Sequence, residues 1–199
     1  MFASVLLLSG CNNDSNSKAE LNFPTPDNSS TLPDLPEPEL PITPEPPHFS
    51  PPLVAVETSR SGTIYHHNVA VESTGDNLAI TIMEPTELTV GEAYPLILHG
   101  HGYGGQRNKE ADGFQQRLRD AGYYVISIDQ RGFGESTGTV RVMSPDFEGE
   151  NLIALLDWAE NLPGLARFAD KKMVVGSYGG SYGGWSVNSH SHAKVRSTI

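Results

Sequence analysis

The segment that most constrains this chain is Met173-Val174-Val175-Gly176-Ser177-Tyr178-Gly179-Gly180-Ser181-Tyr182-Gly183-Gly184. A short apolar run entering so many glycines predicts a buried strand that stops at a sharp turn and hands over to a helix. Such a turn packs against adjacent strands, so the positions flanking it must be small. Gly179 and Gly183, two before and two after Ser181, meet that demand, and Ser177 lacks the same flanks. A hydroxyl held there is exposed at the end of a sheet, with helix amides and a helix dipole aimed at developing negative charge. Ser181 is therefore the candidate nucleophile, and the amide of Tyr182 a candidate donor to that charge.

The rest of the chain supplies a framework for such a turn. Ile64 to Val71 and Leu78 to Met83 read as strands joined through Ser73-Thr74-Gly75-Asp76-Asn77, a hairpin. Tyr94 to Leu98 is a short apolar run. Ala111 to Ala121 has helical spacing (Phe114, Leu118, Ala121) and stops at Gly122. Tyr123 to Ile128 is continuous and apolar, as a strand buried on both faces requires. Pro145 to Leu162 is amphipathic through Phe147, Leu152, Leu155, Leu156 and Ala159, with Ser144-Pro145 as N-cap and N1 and Pro163-Gly164 as the stop. Lys194 to Ile199 is read as the start of a further strand. Alternating strands and helices after a hairpin predict an α/β fold, a mostly parallel sheet with helices on both faces.

Two more glycine-rich loops follow apolar runs. His99-Gly100-His101-Gly102-Tyr103-Gly104-Gly105 can bring backbone close to a substrate carbonyl and aim an amide at an oxyanion. The amide of His101 is the first candidate, that of Gly102 the next, and the Tyr103 hydroxyl an alternative. Neither His99 nor His101 is read as the general base: both precede Ser181, and the strand–turn–helix serine motif resembles that of α/β-hydrolases, which run serine, acid, histidine along the chain. Two histidines without a nearby carboxylate or cysteine make a poor ligand set, so no metal and no cofactor are expected. Asp129-Gln130-Arg131-Gly132-Phe133-Gly134-Glu135-Ser136 reads as a structural loop, with an expected Asp129–Arg131 ion pair.

The N-terminal part is of another kind. Eleven of the fifteen prolines lie between Pro24 and Pro52, and seven acidic residues (Asp14, Glu20, Asp27, Asp34, Glu37, Glu39, Glu45) face one lysine, Lys18. Much of the net charge of −11 belongs to this stretch, which leaves no basic footprint for nucleic acid. Residues 12–52 read as a Pro-rich, acidic, extended tether, and residues 53–199 as the folded part. The single cysteine, Cys11, excludes a disulfide framework within the chain. It ends Val5-Leu6-Leu7-Leu8-Ser9-Gly10, too short to span a bilayer.

Leu8-Ser9-Gly10-Cys11 resembles the lipobox of bacterial lipoproteins. The resemblance implies that residues 1–11 are a signal segment and that Cys11 is lipidated and holds the protein at a bacterial membrane of the cell envelope, each acyl chain contributing about 0.8 kcal/mol per buried CH₂, with secretion as the alternative. Met1 to Ser4 carry no Lys or Arg, so the start is expected to lie upstream. From Thr63 onward the chain resembles bacterial α/β-hydrolases of the X-prolyl dipeptidyl-peptidase and cocaine-esterase-like group. The matching stretches are the loop at 99–105, the loop at 129–136, the helix from Asp146 to Leu162, and the surroundings of Ser181. The resemblance implies a Ser-Asp-His triad, no metal, and a small ester or peptide substrate attacked by Ser181. Such enzymes take the acid and the histidine from loops well after the nucleophile. Fifteen residues follow Gly184, and His190 and His192 fall where the helix behind the turn should run. The fold is therefore expected to be C-terminally incomplete and the chain weak or inactive. The competing expectation is a non-catalytic, membrane-tethered binding lipoprotein or a non-functional fragment.

Overall fold

A computed structural model describes residues 49–184. Nine strands and two α-helices follow in order among these residues: β1 (Phe49–Ser50), β2 (Arg60–Ser61), β3 (Ile64–Val71), β4 (Asp76–Met83), β5 (Glu87–Leu88), β6 (Leu96–Gly100), α1 (Gly113–Asp120), β7 (Tyr124–Ile128), α2 (Glu150–Ala159), β8 (Arg167–Phe168) and β9 (Val175–Gly179). The main sheet has the order β3-β4-β7-β6-β9. The hairpin β3–β4 and the pair β4–β7 are antiparallel, while β7–β6 and β6–β9 are parallel. The expected hairpin is present, its turn closed by Gly75 at φ +72°.

Strand alternation divides the sheet into two unlike faces. Leu78, Ile80 and Ile82 of β4, Leu96 and Leu98 of β6, and Tyr124, Ile126 and Ile128 of β7 share one aliphatic core with Leu152, Leu155, Leu156 and Ala159 of α2. Each such leucine or isoleucine contributes about 1.5–3 kcal/mol on burial. The other face is polar at its centre. Ser127 Oγ accepts from the Asn108 amide (2.8 Å) and lies 2.8 Å from His99 Nδ1, and Arg107 Nε donates to Thr81 Oγ1 (3.2 Å). The α1 helix packs on this side, so the residue it buries is Gln115, held by Asn108, while Phe114 stays largely exposed. Its stop at Gly122 (φ +83°) is the one read from the sequence, and the Asp112 side chain caps its start, accepting from the Phe114 and Gln115 amides.

Two expectations need correction. The helix from Pro145 begins as a single π-turn over Pro145–Gly149, and Ser144 makes no side-chain cap bond. The buried Glu148 carboxylate does that work, accepting from the Ser144 amide (3.0 Å) and the Arg141 amide (2.7 Å). And β9 is half-buried along its length, because among the described residues it pairs on one side only, with β6. The reading of a strand over 194–199 lies outside the described residues.

Candidate active site

The parallel register brings the three glycine-rich loops to one level. Gly100 is opposite Ile128 on one side and Gly179 on the other, so the chain leaves β6, β7 and β9 together at their carboxyl ends. This is where open α/β sheets place ligand sites.

Ser181 sits at φ +53°. A left-handed conformation costs an L-residue roughly 1–2 kcal/mol, and a non-glycine residue keeps it only where its surroundings impose it. Here backbone packing does so. A Cβ on Gly183 would overlap the Gly100 carbonyl and the His101 oxygen, and one on Gly179 would overlap the Gly100 oxygen and the Gly183 backbone. Gly180 by contrast faces open space. The turn is thus wedged against the start of the 101–105 loop. On the other side, the position a Cβ would take on Gly102 is 3.7 Å from Gly180 O and 4.0 Å from Ser181 Cβ. The structure therefore brings Ser181, Tyr182, His101 and Gly102 together.

The imidazole of His101 is buried and both nitrogens are engaged by backbone. Nε2 accepts from the Gln130 amide (3.1 Å), and Nδ1 lies 2.7 Å from Gly102 O. The Gln130 side chain donates to His101 O (2.5 Å). His99, half-buried, meets Ser127 and stacks on Tyr178 with ring centroids 4.7 Å apart; burial holds its pKa below the ordinary histidine value. Beside Ser181 stand three mutually edge-on rings, Tyr103, Phe133 and Tyr182, with centroids 5.1–5.9 Å apart. Tyr182 is buried and its phenol pushed up by that burial, while Tyr103 is two-thirds exposed.

The expected Asp129–Arg131 pair is not formed. Asp129 pairs with the buried Arg107, and its oxygens also accept from the Arg107 amide (2.5 Å) and the Glu135 amide (2.9 Å). Arg131 turns instead to Asp76 at the hairpin. Asp129 is fully occupied as a loop clasp, as its structural reading requires. Gln130 and Arg107 carried no signal of their own in the sequence; the parallel pairing of β6 with β7 is what sets them beside the 101–105 loop. Among the described residues no group of three or more His, Cys, Asp or Glu side chains converges. Cys11, His190 and His192 lie outside the described residues.

Residues 74–197 match the family described as X-Pro dipeptidyl-peptidase (S15 family). A curated relative, an uncharacterized 31.7 kDa protein in the traX-finO intergenic region of Escherichia coli, is 34% identical over 94 residues, which cover 47% of this chain and 31% of that protein. The match thus spans under a third of the length of that relative. Among solved structures, Est1E from Butyrivibrio proteoclasticus, determined with ferulic acid bound, superposes with a TM-score of 0.50 at 22% identity, over 65% of this chain and 48% of that one. That likeness is one of fold, and the fold is the α/β-hydrolase. With the family match covering well over half of its residues, the chain belongs to the X-Pro dipeptidyl-peptidase (S15) family.

Proposed function

We propose that this chain carries the nucleophile and oxyanion end of a serine hydrolase acting on small ester or peptide substrates, X-Pro bonds among them. The observation that carries the reading is Ser181 held at φ +53° against Gly102. In the proposed reaction Ser181 Oγ attacks the substrate carbonyl carbon and gives its proton to a general base that is not among the described residues. The carbonyl oxygen becomes an oxyanion and takes hydrogen bonds from the Tyr182 amide and from an amide of the His101–Gly102 pair, an interaction realised most fully in the transition state. Collapse expels the alcohol or amine, which takes up the proton, and leaves an acyl-enzyme on Ser181. Water then attacks the same carbon and releases the acid. The Tyr103–Phe133–Tyr182 wall lies alongside the path that either substrate part would take.

The test is labelling of Ser181 by a fluorophosphonate probe, read by mass spectrometry, together with turnover of p-nitrophenyl esters and X-Pro p-nitroanilides. Labelling that disappears in Ser181→Ala supports the reading, and labelling elsewhere or none sinks it. The ratio of ester to X-Pro amide turnover decides between esterase and dipeptidyl-peptidase. Anchoring through Cys11 is a separate part of the proposal, tested by whether Cys11→Ser moves the expressed protein from the membrane to the soluble fraction.

A further inference from the structure

The side chain of His101 has a role that its amide does not exhaust. Its Nε2 faces the Gln130 backbone N–H at 3.1 Å and must present a lone pair there. Its Nδ1 faces the Gly102 carbonyl at 2.7 Å, an acceptor, and must carry the proton. The two contacts together specify one neutral tautomer, Nδ1–H, and leave neither nitrogen for substrate, metal or proton transfer. A ring so engaged is a template for backbone.

What it shapes is the loop beside the nucleophile. Gly102 O accepts from His101 Nδ1 and also from the Gly105 amide (2.9 Å). His101 O accepts from Gln130 Nε2 at 2.5 Å. Two successive carbonyls are therefore turned by specific donors. A trans peptide sets its N–H opposite its C=O, so holding His101 O on Gln130 turns the Gly102 N–H away from Gln130. Gly102 abuts Ser181, the position a Cβ would take on it lying 4.0 Å from Ser181 Cβ. Phe133 closes the outer side, edge-on to the imidazole at 5.4 Å.

We propose that the His101 imidazole, fixed as the Nδ1–H tautomer and clasped by Gln130, is a positioning residue that holds the Gly102 amide toward the oxyanion formed at Ser181. This rests on the serine-hydrolase reading and adds to it which side chains set the hole. Loss of one aligned oxyanion donor costs about 10²–10³ in kcat, and a misplacement of about 1 Å can cost ~10²-fold. Loosening the clasp is thus expected to slow acylation by about 10- to 100-fold with KM little changed.

The experiment compares His101→Phe, His101→Asn and Gln130→Ala with the wild-type full chain. His101→Phe keeps the ring and its edge contact with Phe133 but removes both hydrogen bonds; His101→Asn keeps a short donor able to reach Gly102 O. The readouts are the rate of Ser181 labelling by a fluorophosphonate, kcat and KM for a p-nitrophenyl ester, thermal unfolding, and the ¹⁵N spectrum of the histidines. Expected are a pyrrole-type Nδ1 and a pyridine-type Nε2 for His101. Expected too are slowed labelling in His101→Phe and Gln130→Ala at unchanged unfolding temperature, and partial rescue in His101→Asn. A wild-type chain that is not labelled overturns the hydrolase reading and this role with it. A labelled wild type with His101→Phe labelled equally fast, or a His101 protonated at Nε2, overturns this inference alone. If His101→Phe unfolds, Gln130→Ala decides: unchanged labelling there overturns the role.

Discussion

Replacing Gly183 by alanine sets two physical effects against each other at one atom. Gly183 lies in the first turn of the helix behind Ser181. On helix propensity alone Gly→Ala stabilises by up to about 1 kcal/mol. On packing, the new methyl would overlap the carbonyl of Gly100 and the oxygen of His101, both backbone atoms of the neighbouring strand and loop. Backbone cannot swing aside as a flexible side chain can, so β6 and the turn must separate. Overpacking of this sort costs about 1–3 kcal/mol and more where the obstacle is rigid. We expect a net loss of about 3 kcal/mol, which at this chain length lowers the unfolding temperature by about 10 °C, together with loss of Ser181 labelling. Gly180→Ala is the control, since nothing lies within 4 Å of its Cβ position; it should change stability by less than about 0.5 kcal/mol. The assay is thermal or urea unfolding of the three proteins, with fluorophosphonate labelling in parallel. A Gly183→Ala protein as stable as wild type, or a Gly180→Ala protein equally damaged, would refute the wedged-turn argument.

Three other outcomes follow from the same geometry. Ser181→Gly should be more stable than Ser181→Ala by roughly 1 kcal/mol, since glycine accepts φ +53° without the Cβ penalty and alanine does not; equal unfolding midpoints would mean the serine is not strained. Arg107→Ala should lose about 3–5 kcal/mol, because it leaves the buried Asp129 carboxylate unpaired, and adding Asp129→Asn should recover part of that loss in a double-mutant cycle. Acid should destabilise the fold through two carboxylates: Glu84, which burial pushes up but hydrogen bonds from Arg60 and Thr63 hold below its ordinary value, and Glu135, held at about 2 by Lys109 and Arg107. Both are depressed in the folded state, so their contribution is complete above the unfolded value of about 4.3 and is lost as pH falls toward 2; Glu84→Gln should flatten the fall in unfolding temperature over that range, and an unchanged slope would count against the assignment.

The parts of this fold that were legible in the sequence are those set by neighbours in the chain. Strand β3 runs over Ile64–Val71 as read and the turn contains Gly75, while β4 starts at Asp76, two residues before the Leu78 read from the sequence. The α1 helix announces its stop at Gly122. The bend at Ser181 was legible because both glycines that permit it are two residues away. What failed depended on partners distant in sequence. Arg131 is two residues from Asp129, yet the ion pairs join Asp129 to Arg107 and Arg131 to Asp76, because strand pairing, not proximity along the loop, decides which charges share a buried space. Phe114 is part of the apolar spacing that marked α1, yet it stays exposed: the face α1 packs on carries Thr81, Ser127 and His99, and a buried Gln115 suits that surface better. The π-turn at Pro145 reflects the capture of two amides by Glu148, a choice among several possible caps that no spacing rule specifies.

The wedge of glycines also separates what can vary at this site from what cannot. The strain at Ser181 is offset by contacts among main-chain atoms of Gly100, His101, Gly179 and Gly183. The Tyr103 and Phe133 side chains take no part in those contacts; they lean on one another and on Tyr182. A substitution at Tyr103, which is mostly exposed, therefore leaves those main-chain contacts in place. Substitution at any of the wedged glycines does the reverse. The turn at Ser181 is thus held by main-chain atoms, and on the proposed function a Tyr103→Ala protein should keep the wild-type unfolding temperature within about 2 °C while shifting the ratio of ester to X-Pro amide turnover. A Tyr103→Ala protein that lost stability and reactivity together would show that the two sets of atoms are coupled after all.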